Sequence, residues 1–98
     1  NIDILKISNK EYITKGTTHL YEVEEHLNAN LPIDNYETLS GFMLGQLNTM
    51  PERHEKIKLT YNNWIFEGLT YNGLVITKVK ITQKENSIPS EEKKIIEK

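Results

Sequence analysis

The sequence predicts an α+β domain, two helices packed on a mainly antiparallel sheet in the order β-β-α-α-β-β-β. Three observations carry that reading. The C-terminal half alternates apolar and polar residues in three successive runs separated by turn dipeptides, Asn62-Asn63 and Asn72-Gly73. The middle of the chain instead repeats its apolar residues at three and four, at Leu20, Val23 and Leu27 and again at Leu39, Phe42, Met43 and Leu47. Two short β-rich runs precede both. Strands gathered on either side of a helical pair, rather than alternating with single helices, indicate α+β architecture.

Ile2, Ile4 and Ile7 start a weak strand that stops at Ser8-Asn9-Lys10, and Glu11 to Lys15 forms its partner across that turn. Gly16 breaks the extended run. Thr17 or Thr18 then caps a helix with one narrow apolar stripe, Leu20, Val23 and Leu27. In the connector that follows, Leu31 and Ile33 are apolar enough to be pinned to the core, which brings the two helices together.

The segment Asp34 to Pro51 reads as the second helix with its start and stop written in. Asp34 and Glu37 have the spacing of a capping box, Tyr36, Leu39, Phe42, Met43 and Leu47 share a face, and Pro51 excludes the helical conformation from the residue before it. Gly41 and Gly45 each weaken a helix by roughly 1 kcal/mol relative to Ala. Their presence one turn apart predicts close packing of this helix on the sheet.

After a polar segment, Glu52 to Glu55, strict alternation from Lys56 to Tyr61 places Ile57, Leu59 and Tyr61 on one face of a strand. Trp64 to Tyr71 is the next strand, with Gly68 marking a bulge or bend. Asn72-Gly73 predicts a type I′ hairpin turn into Leu74 to Thr82, with Val75, Thr77, Val79 and Ile81 on one face and Lys78 and Lys80 on the other. From Gln83 onward aromatics disappear, and four lysines balance four glutamates between Lys84 and Lys98. This divides the chain into a folded domain, 1–83, and a charged tail, 84–98, expected as a mobile linker rather than as a short helix capped by Ser90.

Composition bounds the function. A chain of 98 residues makes one domain. It lacks cysteine, which excludes disulfides, a thiol nucleophile and thiolate metal sites. Twelve basic and 14 acidic residues, read as mixed along the chain, give a net charge of −2 and no electropositive footprint for nucleic acid or anionic lipid. No signal peptide and no membrane-spanning apolar run is visible. The chain opens on Asn1 rather than methionine, so a segment of a longer polypeptide is expected.

The run Tyr36-Glu37-Thr38-Leu39-Ser40-Gly41-Phe42-Met43-Leu44-Gly45-Gln46-Leu47, followed by Met50-Pro51, resembles the transporter-associated domain of the CorC/HlyC type. Gly16 with the helix from Leu20 to Leu27 is similar to that family's strand-Gly-helix opening, and Ile57, Leu59, Trp64, Phe66, Val79 and Ile81 match its alternating strands. The likeness spans roughly residues 12–81. Gly16, Thr38, Gly41 and Pro51 are its structural signature, whereas His54 and Asn62-Asn63 stand where the family usually has glycine. The resemblance implies a fold similar to a subdomain of FAD-binding enzymes. It further implies a non-enzymatic regulatory module at the cytoplasmic side of the cell membrane, attached to a membrane region and a pair of CBS domains in magnesium and cobalt efflux or haemolysin-like proteins. The partners it implies are those domains and a second copy of the chain, with no cofactor, no nucleic acid and no membrane insertion of its own. A small-ligand module for a nucleotide, flavin or divalent cation is the alternative.

Each chemical constellation has a plain structural explanation beside it. His19, Glu22 and His26 fall at i, i+3 and i+7 on one side of a helix and are zinc- or cobalt-ligand types, but a solvated helix face is the expectation. Gly41-x-x-x-Gly45 has its dimerisation meaning only in membrane helices. Ser40 and Thr38 lie in no nucleophile elbow, and Thr38 is expected to bond its own first turn. Glu22, Glu24 and Glu25 are adjacent on a helix surface, and Trp64 and Tyr71 are expected in the core rather than on a base.

Overall fold

Five antiparallel strands in the spatial order β1-β2-β5-β4-β3 carry two helices on one face. The elements are β1 (Ile4–Lys6), β2 (Glu11–Lys15), α1 (Leu20–Leu27), α2 (Leu39–Gly45), β3 (Lys58–Tyr61), β4 (Trp64–Asn72) and β5 (Val75–Gln83). The computed structural model describes residues 3–47, 51–52 and 55–84. The turn around His54 and the tail with its Ser90-capped alternative lie outside the described residues. The fold is the predicted one. β1 and β2 form the N-terminal hairpin, β3, β4 and β5 the meander, and β2 joins them by pairing with β5.

One buried layer lies between helices and sheet. Leu20 and Val23 of α1, Leu39, Phe42 and Met43 of α2, and Phe66, Ile76, Val79 and Ile81 of the sheet are fully buried. Phe42 sits at the centre, meeting Tyr36, Tyr61 and Phe66 edge-on at 5.9, 5.1 and 5.4 Å between ring centroids. Each such pair is worth about 0.5–1.5 kcal/mol beyond its buried area. Leu31 joins the core at 4% exposure, but Ile33 stands out at 38%, so only one of the two connector anchors is buried.

The helix starts differ from their sequence expectations for a shared reason. Thr38, not Asp34, caps α2, its Oγ1 accepting from the Gly41 N–H at 3.1 Å, while residues 33–35 form a turn upstream. His19, not Thr17 or Thr18, is the cap residue of α1, and its side chain makes no capping bond. The two cap residues pair instead as an isolated antiparallel bridge. Leu20 N–H donates to Glu37 O at 2.8 Å and Leu39 N–H to Thr18 O at 2.9 Å, so each strand-like approach supplies an acceptor for the other helix's first turn. Nor does Pro51 end α2. The helix closes at Gly45 with Gln46 and Leu47 amides bonded back to Met43 and Leu44, and Gln46 Nε2 donating to Phe42 O.

The close approach to the sheet predicted at Gly41 and Gly45 occurs at Gly16, while Gly45 is closely approached by a side chain, that of Tyr36. A Cβ on Gly16 would lie 1.6 Å from Ile76 O and 2.7 Å from Ile76 C, main-chain atoms of a central strand. At Gly45 the space is filled by the Tyr36 ring, and at Gly41 the nearest atom is Thr38 Oγ1 at 3.2 Å.

The β4–β5 hairpin also departs from the simple alternation. Asn72 pairs with Val75, so the loop is Gly73-Leu74, and positive φ at Gly73 (64°) but not at Leu74 is the pattern of a type II′ rather than a type I′ turn. Register shifts occur between Gly68 and Thr70 and between Thr70 and Tyr71. They reverse which residues face inward: Ile76 is buried and Val75 is 44% exposed, although Val79 and Ile81 face the core as expected. Asn62 takes the left-handed conformation its turn requires (φ 54°).

Two stability measurements follow. Gly16→Ala is expected to cost at least about 3 kcal/mol in urea denaturation, because the displaced atoms are backbone, and Gly41→Ala less than about 1 kcal/mol. Equal costs would show that Gly16 is not the tight contact. Thr14 Oγ1 is buried without a hydrogen-bond partner among the described residues. Thr14→Val, which keeps the shape and removes that hydroxyl, is expected to stabilise by about 1 kcal/mol; a lower melting temperature would mean that a buried water occupies the site.

Candidate docking surface

Gly16, one of the signature residues, forms with Ser40 a junction rather than a reactive site. Gly16 N–H donates to Thr77 O at 3.1 Å, Ser40 N–H donates to Gly16 O at 2.7 Å, and the buried Ser40 Oγ accepts from Ile76 N–H at 2.9 Å. The start of α2 is thereby fastened to the end of β2 and the beginning of β5. Ser40 is committed to structure, with no histidine or carboxylate among these bonds to activate it. Thr38 bonds its own first turn, as its position predicts. Pro51 is half-buried and lies apart from this junction, at the edge of a cleft.

That cleft, of about 690 Å³, lies beside the β4–β5 hairpin tip. Ile57, Leu69, Tyr71 and Leu74 form apolar walls, and Glu52 and Glu55 stand at its margin. The two acids are bonded to each other, Glu52 N–H donating to Glu55 Oε1 at 2.8 Å and Glu55 N–H to Glu52 O at 3.0 Å. Tyr71 holds the cleft floor: its hydroxyl accepts from Ile57 N–H at 2.8 Å and donates to Gly68 O at 3.1 Å. This role for Tyr71 depends on the double register shift, which periodicity does not encode. Trp64 is 7% exposed, packed in the core with a ring contact to Tyr12.

The metal-ligand candidates are not brought together. His19 caps α1 and its ring packs edge-on against Tyr21, whereas His26 packs against Tyr12. Glu22 is exposed between them. Among the described residues there is no group of three or more His, Asp or Glu side chains able to hold a metal ion.

Charge, by contrast, is organised in space. No lysine or arginine occurs between Lys15 and Arg53, a stretch holding Glu22, Glu24, Glu25, Asp34 and Glu37. The helical layer is therefore acidic, and the described lysines lie on the strands (Lys6, Lys15, Lys58, Lys78 and Lys80) or in the segments flanking them (Lys10, Lys56 and Lys84), so among the described residues the charges are segregated rather than mixed. The signal was legible in the sequence as a 37-residue gap in basic residues. Two shallow depressions, of 580 and 330 Å³, share Tyr21 and Ile33 and are bordered by Glu24, Glu25, Asp34 and Glu37. Tyr21 is 53% exposed. An exposed aromatic and an exposed isoleucine among unneutralised carboxylates form a surface suited to docking rather than catalysis.

Residues 5–85 match the family model described as a transporter associated domain, CorC_HlyC. A hemolysin domain from Enterococcus faecalis superposes with a TM-score of 0.75 at 18% identity, covering 86% of this chain and 100% of that one. The CorC_HlyC domain of a Xylella fastidiosa hemolysin, in complex with Mg2+ and Mn2+, gives a TM-score of 0.69 at 21% identity over 86% and 100% of the two chains. A region from Neisseria meningitidis named as associated with a Mg2+ and Co2+ transporter (CorC) gives 0.71 at 15% identity over 84% and 99%. No curated protein sequence matches the chain. No helix among the described residues is long and apolar enough to cross a membrane.

Replacing Tyr71 by Phe is expected to cost about 1–3 kcal/mol, since it leaves the amide of buried Ile57 without its acceptor. Amide hydrogen exchange at Ile57 is expected to accelerate more than that at Val79. Uniform acceleration would instead indicate that the hydroxyl acts on global stability alone.

Proposed function

The chain belongs to the CorC_HlyC family of transporter associated domains, and from that premise we propose that it is a non-catalytic regulatory module of an ion-transporting membrane protein. It acts by docking on a neighbouring domain or on a second copy of itself, at the cytoplasmic side of the membrane, and so biases the conformation of the transport machinery. A CBS pair and the membrane region of the same polypeptide are its intramolecular partners. Magnesium and cobalt are the ions proposed, from the name carried by the Neisseria relative. The observation that carries the reading is the family match over residues 5–85. The commitment of Ser40, Thr38 and Tyr71 to structural hydrogen bonds supports a docking role over a chemical one.

A second reading has its own support. The cleft beside Ile57 and Leu74 has the size of a small-ligand site, and one relative was crystallised with Mg2+ and Mn2+. Under it, a nucleotide, flavin or divalent cation would set the docking state.

Ion efflux measured for the full-length protein, with and without residues 5–85, tests the docking reading. Removal is expected to change the transport rate or the oligomeric state, and identical values for both would overturn it. Calorimetry of the isolated chain against adenine nucleotides, FAD, Mg2+, Mn2+ and Co2+ separates the two readings. Silence throughout supports docking alone, whereas saturable binding to one ligand, lost on Leu74→Glu, supports the ligand module.

A further inference from the structure

The helices cover one face of the sheet, and among the described residues nothing covers the other. Direct strand pairing puts Leu5, Ile13, Lys80, Glu67 and Lys58 in one row across all five strands of that open face. Lys15 and Lys78 lie directly opposite each other in the neighbouring row. Like charges in that position are destabilising unless something compensates them. Lys15 meets Asp3 at 3.5 Å and Lys80 meets Glu11 at 3.6 Å, both at the surface, while Lys58 and Lys78 are exposed and make no ion pair among the described residues. On the open face the register places Lys15, Lys58, Lys78 and Lys80 with Glu11 and Glu67, an excess of positive charge opposite in sign to the helical layer. Apolar surface accompanies it: Leu5 is 55% exposed, and Ile13 and Ile65 are only partly covered.

One chain therefore carries two complementary surfaces on opposite sides. The helical side offers Tyr21 and Ile33 among Glu24, Glu25, Asp34 and Glu37, of which Glu25 and Asp34 are exposed and make no ion pair among the described residues. The sheet side offers leucine and isoleucine among lysines. Contact between two helical sides would set acid against acid, which disfavours a symmetric pairing through that face. We infer that this chain associates with a second copy of itself head to tail, the acidic helical surface around Tyr21 and Ile33 of one copy seating on the open, lysine-bearing sheet face of the next.

The inference rests on the docking reading above and specifies its surfaces. Five strands of three to nine residues, spaced about 4.8 Å apart, give a planar footprint of roughly 500 Å². Standard stable interfaces bury about 800 Å² per partner, so this contact is transient and salt-sensitive. Because the two surfaces differ, each copy retains one free docking face, and association grows with concentration rather than stopping at a dimer.

A charge-swap experiment on the whole 98-residue chain tests it. One variant carries Glu25→Lys and Asp34→Lys, and the other carries Lys58→Glu and Lys78→Glu; urea midpoints establish that both fold. Sedimentation velocity on the wild-type chain is expected to show association with a dissociation constant between about 10 µM and 1 mM, weakening as salt is raised. Each variant alone is expected to associate at least about tenfold more weakly. Their equimolar mixture is expected to recover association, because the reversed helical surface of the first matches the reversed sheet face of the second. Monomeric wild type up to about 1 mM, association that survives either reversal, or a mixture that stays monomeric would each overturn the inference. Those results leave docking on another domain intact, since that reading fails only when removal of the domain leaves transport and assembly unchanged.

Discussion

The contact on which the architecture depends is the approach of Gly16 to the backbone of Ile76, where no side-chain atom fits between β2's exit and the start of β5. Three chain segments converge there. Gly16 bonds Thr77 through its amide and Ser40 through its carbonyl, while Ser40 Oγ satisfies the amide of Ile76. The hydrogen bonds exist only because the missing Cβ lets the backbones close to that distance. With α2 fixed at its first turn, the pairing of Thr18 and Glu37 carbonyls with Leu39 and Leu20 amides then fixes α1. Both helices are positioned by main-chain bonds at their starts, and the apolar layer fills what those bonds define.

This arrangement accounts for how short the helices are. Helices of eight and seven residues would be marginal alone in water. Here their free amide groups find acceptors on each other's approach segments, and Phe42 anchors the second through three aromatic partners. The same geometry leaves one sheet face uncovered by the helices and keeps both helices, within the stretch from Gly16 to Leu47, on the other. Absence of lysine and arginine from that stretch thereby becomes a two-sided distribution of charge in the folded molecule.

Agreement with the family domains at 15–21% identity is consistent with a fold held by a few backbone contacts and an apolar layer that tolerates volume-conserving exchange. The signature residues are accordingly structural. Gly16 and Thr38 act through main-chain contact and capping, and Gly41 is the amide that Thr38 caps.

The α+β class, the order of the elements and most of the core were determined by the sequence itself, because periods of two and of three to four set which side of a strand or helix is apolar. Gly68 announced its bulge, and the apolar positions of both helices were legible for the same reason. The tertiary structure alone decided the helix caps, the use of the glycines and the inward face of the β5 start. Asp34 and Thr17 have good capping side chains, but the pairing of His19 with Thr38 moved both helix starts downstream. Two register shifts turned Ile76 inward and Val75 outward against the alternation. The glycine that mattered for close approach of two backbones was the one at a strand end, since the crossing of β2, β5 and α2 sets main-chain atoms where its Cβ would stand, whereas at Gly45 and Gly68 the obstruction is a tyrosine side chain. Local patterning specifies which residues avoid water. Which backbone atoms meet is set by segments far apart in the chain.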